Sequence, residues 1–292
     1  MRMLRKGKVK DLYELDNGNI LFYFSDRVSA FDIKMLTSIP RKGEVLCKFA
    51  KFWFDSLDTK HHMIRIYDND KMEVKRLIMI PLECIVRGYF YGTLEERYNE
   101  GTTHNLLPNT FTPIKAAKLF EPIFDPTNKS EEHDVPITEE EIISSGLLST
   151  KDYEYVKDTS LMLYNKMSSI AEKAGFIIAD VKFEFGRDLI TNEILLGDSL
   201  GPDEYRLWLK SNYTPGKNQE SYDKQLLRDW LVKIGFKEMI VEYSKKGEKP
   251  PPPVIPIEVA TELSKRYIFA YEKISGKKYR ETQEEHRGVL RF

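Results

Sequence analysis

The sequence predicts an α+β fold, and three observations carry that prediction. Phe176-Ile177-Ile178-Ala179 and Ile194-Leu195-Leu196 are apolar runs of strand length flanking a polar stretch from Gly186 to Asn192, the pattern of a hairpin. Gly7 to Tyr13 and Ile20 to Phe24 flank Asn17-Gly18-Asn19, whose Asn-Gly step suits the tight turn of a second hairpin. Apolar residues recur at helical spacing in Val45 to Leu57, Ser160 to Ala174 and Ile257 to Ile274.

The stretch from Phe176 to Trp208 organises the rest. Asp180, Lys182 and Glu184 fall two apart, so a strand points all three at one face, while Val181, Phe183 and Phe185 point at the other. If the chain reverses between Gly186 and Asn192, Asp198 comes back beside them. Two carboxylates with a lysine between them suit a hard cation and a phosphate together, because Mg²⁺ is held by one or two carboxylates plus nucleotide oxygens. The competing reading is an edge hairpin with a solvated charged face.

Composition sets outer limits. A chain of 292 residues can bury a large core in one or two domains. Lys plus Arg at 45 against Asp plus Glu at 46 leaves a net charge of −1, which argues against a nucleic-acid or membrane binder held by bulk charge. Any anion site must therefore be a local cluster. Cys47 and Cys84 form no Cys-x-x-Cys pair and read as reduced, partly buried thiols. The amino terminus carries no apolar signal region and no run reaches the ~18 apolar residues of a spanning helix, so the expectation is a soluble cytoplasmic protein.

Along the chain, Lys8 and Lys10 share a strand face beside Gly7, where backbone can approach a phosphate closely. An exposed basic strand is the alternative, and neither G-x-x-x-x-G-K-[ST] nor G-x-G-x-x-G occurs. Ser25 to Asp32 reads as a polar turn. Leu46, Phe49, Phe52 or Trp53, and Leu57 form a core stripe on a helix. His61-His62 reads as surface, since neighbours on a strand point to opposite faces and no second ligand set follows.

In the apolar run Leu77 to Gly92, Arg87 is either an anion binder or the partner of Glu83 in a salt bridge, because an unpaired charge there is costly. Thr102 to Glu139 has little periodicity and reads as an excursion packed over a site. A helix from Ser160 ends near Gly175, with Leu161, Tyr164, Met167, Ile170 or Ala171, and Ala174 inward. Another opens near Ser221, with Leu226, Leu227, Trp230, Leu231 and Ile234 inward, Lys224 and Arg228 on one side, and Gly235 closing it. Pro250 to Pro253 reads as a stiff connector. In the last helix Ala260, Leu263, Tyr267, Ala270 and Ile274 share a face.

These segments, in this order, resemble the SAICAR synthetase (phosphoribosylaminoimidazole-succinocarboxamide synthase) family. The resemblance spans nearly the whole chain: GKVKDLY, SDRVSAFD, RKGEVL, PLECIVRGYFYGT, EHD, ADVKFEFG, LLGDSLGPDEYRLW, YDKQLLRDWL and PPPPVIPIEVATELSKRYIFAYEKISG. It implies a fold related to ATP-grasp enzymes. Residues 1–86 would form a small antiparallel β lobe covering a nucleotide, and residues 87–292 a larger α/β lobe with a central antiparallel sheet, the metal and substrate sites and a C-terminal helix. The implied reaction joins L-aspartate to carboxyaminoimidazole ribonucleotide (CAIR) through an acyl phosphate, with ATP and Mg²⁺, giving SAICAR, ADP and phosphate. A homodimer is compatible with this reading, and no nucleic-acid or membrane partner is implied.

By the same resemblance, Lys8 and Lys10 match phosphate-covering lysines, and Lys182 and Glu184 match nucleotide contacts. Glu184 and Asp198 match magnesium-side carboxylates, and Lys182, Glu184 and Asp198 together are the expected catalytic set. Arg87 and Thr93 fall in the CAIR-binding R-G-x-x-x-G-S segment. Asp134, Asp203, Arg206, Lys224 and Arg228 complete the substrate-binding set. The chain departs from the family where D-E-x-x-T-P-D-S-S-R is common: it reads Asp198 to Arg206 as DSLGPDEYR, without the second acid and both serines. Val135-Pro136 follows Asp134 where the family has an acid and an asparagine. Two further classes fit the same residues, a small-molecule kinase and a nucleotide-binding regulatory protein without catalysis.

Overall fold

The computed structural model describes residues 1–103, 106–108, 110–129 and 135–279. It is an α+β fold. β1 (Arg2–Lys6), β2 (Lys10–Glu14) and β3 (Ile20–Phe24) open the chain, with β2 and β3 joined across Asn17-Gly18 in register from Lys10↔Phe24 to Glu14↔Ile20. Gly18 takes φ +81, which the turn requires and glycine supplies without strain. A two-stranded ribbon, β4 (Ser29–Ala30) and β5 (Ile33–Lys34), occupies the polar turn region. Helix α1 (Lys42–Ser56) follows, then β6 (Met63–Asp68) and β7 (Lys71–Val74) complete a five-stranded antiparallel sheet of order β1-β2-β3-β7-β6. The predicted stripe of α1 is buried at Leu46, Phe49, Trp53 and Leu57, against β3 and β6.

β8 (Leu77–Met79) and β9 (Leu82–Tyr89) divide the long apolar run at Pro81, where a missing N–H would interrupt a ladder. Helix α2 (Thr93–Asn99) leads into the excursion. That excursion is less irregular than its sequence suggests, because β10 (Lys118–Phe124), β11 (Thr127–Asn128) and β12 (Val135–Pro136) extend the central sheet. Helices α3 (Glu139–Ser144) and α4 (Thr150–Lys173) come next, and α4 covers β9, β10 and β13 (Phe176–Phe183). The central antiparallel sheet runs β12-β11-β9-β13-β16, with β16 at Tyr205–Leu209 and β10 also on β9.

The organising hairpin needs a correction. β13 does not pair with Ile194 to Leu196; it lies between β9 and β16, with Asp180 opposite both Arg87 and Arg206. The chain leaves this sheet at Glu184, and a separate short strand, β14 (Phe185–Asp188), makes the hairpin with β15 (Ile194–Leu196), with β8 on its other edge. The apolar half of β13, Phe176 to Ala179, is packed on both faces, Phe176 and Ile178 in the main core and Ile177 and Ala179 with Tyr89, Tyr91 and Trp208, as suits a strand between two others. The β14–β15 turn is held by Asp188, whose carboxylate accepts from the N–H groups of Ile190 and Thr191 at 2.9 and 3.0 Å.

Helices α5 (Gln225–Lys233), α6 (Phe236–Ser244) and α7 (Ile257–Ser275) complete the fold. In α5 Leu227 and Leu231 are buried and Leu226 and Trp230 half-buried, but Ile234 is exposed because the helix has already ended before Gly235. All five predicted inward residues of α7 are buried, where the helix packs on α1, α4 and α5. Cys47 and Cys84 are free thiols, and both are fully buried rather than partly. Among the described residues no helix is long and apolar enough to cross a membrane.

Candidate active site

A cleft of about 1670 Å³ lies between the N-terminal sheet and the central sheet. Gly7, Lys8 and Lys10 line it from one side, and β9, β13, the segment Asp198 to Arg206, and Lys224 and Arg228 line it from the other. The alternation of β9 and β13 puts Glu83, Arg87, Asp180 and Lys182 on the cleft face while Cys84, Val86, Val181 and Phe183 go into the core. Charges therefore stand on a rigid sheet floor.

At one end the carboxylates and lysines converge. Asp198 pairs with Lys10, whose ammonium also reaches the Ser199 hydroxyl at 3.0 Å and lies 4.2 Å from the centre of the Phe22 ring. Glu184 sits 2.5 Å from the Lys129 ammonium and 3.5 Å from that of Lys182. Lys182 contacts Glu204 at 2.9 Å and Glu83 at 3.0 Å. Glu184 and Asp198 thus come together although they belong to different sheets or loops, and Gly197 ties them by donating its N–H to the Glu184 carbonyl at 2.8 Å.

Their electrostatics follow from that crowding. Burial pushes the Glu184 carboxyl up, and the Asp198 charge pushes it further, against Lys182 and Lys129. Burial would also raise Asp198, but Lys10 beside it brings the net shift below the ordinary carboxylate value. Burial works against the Lys182 ammonium, yet Glu204, Glu184 and Glu83 outweigh it and raise its pKa well above the usual lysine value. Two buried carboxylates that repel each other and borrow lysines for neutrality are a donor set for a divalent cation shared with phosphate oxygens. Among the described residues no group of three or more His, Cys, Asp or Glu side chains forms a metal site by itself.

The other end is cationic. Arg87 does not pair with Glu83: four residues along a strand share a face but stand roughly 13 Å apart, and the two find different partners. Arg87 bonds Asp125 at 2.5 Å and donates to the Thr93 hydroxyl at 3.0 Å, while Arg97 holds the same Asp125. Arg206 pairs with Asp180 and lies 5.8 Å from the Tyr91 ring centre. Gly92, at φ +64, passes so close to the Arg206 guanidinium that any Cβ there would collide with it. Lys224 and Arg228 line the cleft with no carboxylate partner among the described residues, and burial lowers the pKa of both. For Arg228 the neighbouring Arg206 charge lowers it further. Arg87 and Arg206 are held in place by Asp125 and Asp180, and Lys224 and Arg228 beside them form no salt bridge among the described residues, an arrangement that suits an anionic ligand.

The remaining expected residues are placed as follows. Lys8 stands at the cleft edge, 2.8 Å from Asp32. Asp203 is turned toward protein partners, Lys42 at 2.7 Å and the Tyr267 hydroxyl at 2.7 Å. Asp134 lies outside the described residues. Sequence reasoning did not single out Lys129, Asp125, Glu204 or Lys42 as site residues; Lys129 and Asp125 come from the excursion without periodicity, where nothing local marks them. It also misplaced His62, which is only 2% exposed instead of lying on the surface. Leu196 and Lys75 bond the main chain of His62 at 3.0 and 2.7 Å, which draws the residue inward between two sheets.

Residues 3–243 match the family model of SAICAR synthetase. The chain belongs to the SAICAR synthetase family. A phosphoribosylaminoimidazole-succinocarboxamide synthase of Nitrosopumilus maritimus is 50% identical over 277 residues, covering 95% of this chain and 99% of that protein. The solved SAICAR synthase of Saccharomyces cerevisiae, complexed with SAICAR, superposes with a TM-score of 0.80 at 34% identity over 96% of both chains. A SAICAR synthetase solved in complex with ADP shares the fold, with a TM-score of 0.71 at 24% identity over 94% of this chain and 99% of that one. Family membership makes the chain an ATP-dependent ligase of purine biosynthesis, and the kinase and non-catalytic readings fall away.

Proposed function

We propose that this cleft joins the amine of L-aspartate to the carboxylate of CAIR, using ATP, through an acyl phosphate. One observation carries the reading: a single cleft holds a carboxylate–lysine end suited to MgATP and an arginine–lysine end suited to a second anion. The complexes of relatives with ADP and with SAICAR support two such ligands.

A carboxylate resists attack by an amine because its leaving group would be oxide. Phosphorylation converts that oxygen into phosphate, a competent leaving group, and the problem becomes one of bringing two anions together. Lys10 and Lys182 neutralise nucleotide phosphates, with Lys8 at the edge of the N-terminal lobe, and the five-stranded N-terminal sheet covers the nucleotide. Glu184 and Asp198 would hold Mg²⁺, which when bound spreads the negative charge of the transferring phosphoryl group. Arg87, Arg206, Lys224 and Arg228 hold the phosphate and carboxylate of CAIR, and Thr93 orients Arg87. Asp203 acts from behind, by fixing the segment that carries Asp198 and Arg206. With both ends rigid, much of the rate enhancement is positioning.

The test is ADP release from MgATP with CAIR alone, aspartate alone, and both. Release that requires both, with SAICAR formed one for one, is expected. Rapid release with CAIR alone, or none with both, would contradict the proposed reaction.

A further inference from the structure

Asp198 stands in an unusual backbone state. Its φ is +51, in the left-handed region that residues other than glycine adopt only when their surroundings hold them there. The surroundings are identifiable. The Nε2 atom of His62 lies 2.7 Å from the Asp198 carbonyl oxygen. A carbonyl can only accept, so Nε2 carries the proton. The ring is enclosed edge-on by Phe22 and Phe54, at centroid distances of 5.5 and 5.7 Å, an apolar setting that favours the neutral imidazole with Nδ1 bare. The same Phe22 ring carries the Lys10 ammonium that pairs with the Asp198 carboxylate. Main-chain bonds close the unit: His62 N–H donates to the Leu196 carbonyl at 3.0 Å, and Gly197 N–H to the Glu184 carbonyl at 2.8 Å.

We propose that His62 is a positioning residue: its Nε2–H bond to the Asp198 carbonyl holds that residue in the left-handed conformation that aims its carboxylate at Lys10 and toward Glu184. The inference rests on the reading of Asp198 as a magnesium-side carboxylate. His62 touches neither nucleotide nor substrate in this arrangement; it acts on the ligand's backbone, as groups behind metal ligands do.

Two measurements test it. In the wild-type protein labelled with ¹⁵N at its five histidines, the His62 resonances at pH 7 are expected to be those of a neutral ring protonated at Nε2. A neutral ring protonated at Nδ1, with Nε2 bare, overturns the proposal, because it cannot donate to the Asp198 carbonyl. Kinetically, His62→Phe fills the space without a donor, and His62→Gln restores one. The Phe variant is expected to raise the Mg²⁺ activation constant and the KM for MgATP by about 10- to 100-fold, with the KM values for CAIR and aspartate nearly unchanged and the Gln variant recovering most of the loss. An unchanged Mg²⁺ dependence in the Phe variant, or an equal rise in all three KM values that Gln does not repair, also overturns it. Should the Phe variant fail to fold, the tautomer decides. Failure of the ligase reading would show separately, as wild-type protein that releases no ADP with both substrates.

Discussion

Asp198→Asn and Glu184→Gln are each expected to lower kcat by about 10²- to 10³-fold while the protein stays folded. Both changes keep size and remove one negative charge from a site whose two carboxylates already repel each other, which is why burial and Asp198 together hold the Glu184 carboxyl up. In Asp198→Asn the Lys10 ammonium loses its partner but keeps the Ser199 hydroxyl and the Phe22 ring. The loss therefore falls on catalysis more than on folding, and the cleft loses half of its capacity to hold a divalent cation against phosphate. Single-turnover rates across a Mg²⁺ titration, beside a thermal unfolding curve, separate the two. Near-normal turnover in both variants would remove these carboxylates from the mechanism.

Lys42→Met is expected to act in the opposite way, with a loss of about 3–5 kcal/mol in stability. Lys42 is fully buried in the first turn of α1, where the helix dipole already disfavours a cation. It is tolerated because Asp203 lies 2.7 Å away, with the Tyr267 hydroxyl on the other carboxylate oxygen. Methionine fills similar space but leaves the buried Asp203 charge with the Tyr267 hydroxyl and only the Lys224 charge to offset it. Burial by itself would raise the Asp203 pKa, and Lys42 with Lys224 holds it far below the usual carboxylate range. A depressed folded-state pKa contributes stability that is complete above the unfolded value of about 3.9 and fades as pH falls below it. Urea unfolding of the wild type should show that acid-side loss, and Lys42→Met should show less of it from a lower starting stability. A variant as stable as wild type at pH 7 would mean the pair contributes nothing net. Replacing both partners together, as Lys42→Met with Asp203→Leu, should recover part of the loss, because no charge is then stranded.

What could be read from the sequence was what local pattern encodes. The Asn17-Gly18 hairpin, the stripes of α1 and α7, and the common face of Asp180, Lys182 and Glu184 follow from periods of two and 3.6 and from turn chemistry, and all appear in the structure. The convergence of Lys10 with Asp198, 188 positions apart in the chain, was expected only through family resemblance, since no local spacing contains it. Pairing of β13 with β9 and β16 was misread because period and turn signals describe neighbours along the chain, and a central strand takes its partners from far away. The inward turn of His62, the Arg87–Asp125 bond and the Lys42–Asp203 pair have the same origin. Each of these polar residues is tolerated inside only because a distant segment satisfies it, and nothing local names that segment.

The most direct test of the account is isotopic. With both carboxylate oxygens of CAIR labelled with ¹⁸O, attack on the γ-phosphorus followed by displacement by the aspartate amine must carry one label into inorganic phosphate and leave one in the amide. One ¹⁸O in phosphate for each SAICAR formed is the predicted result, and SAICAR formed alongside unlabelled phosphate would contradict it.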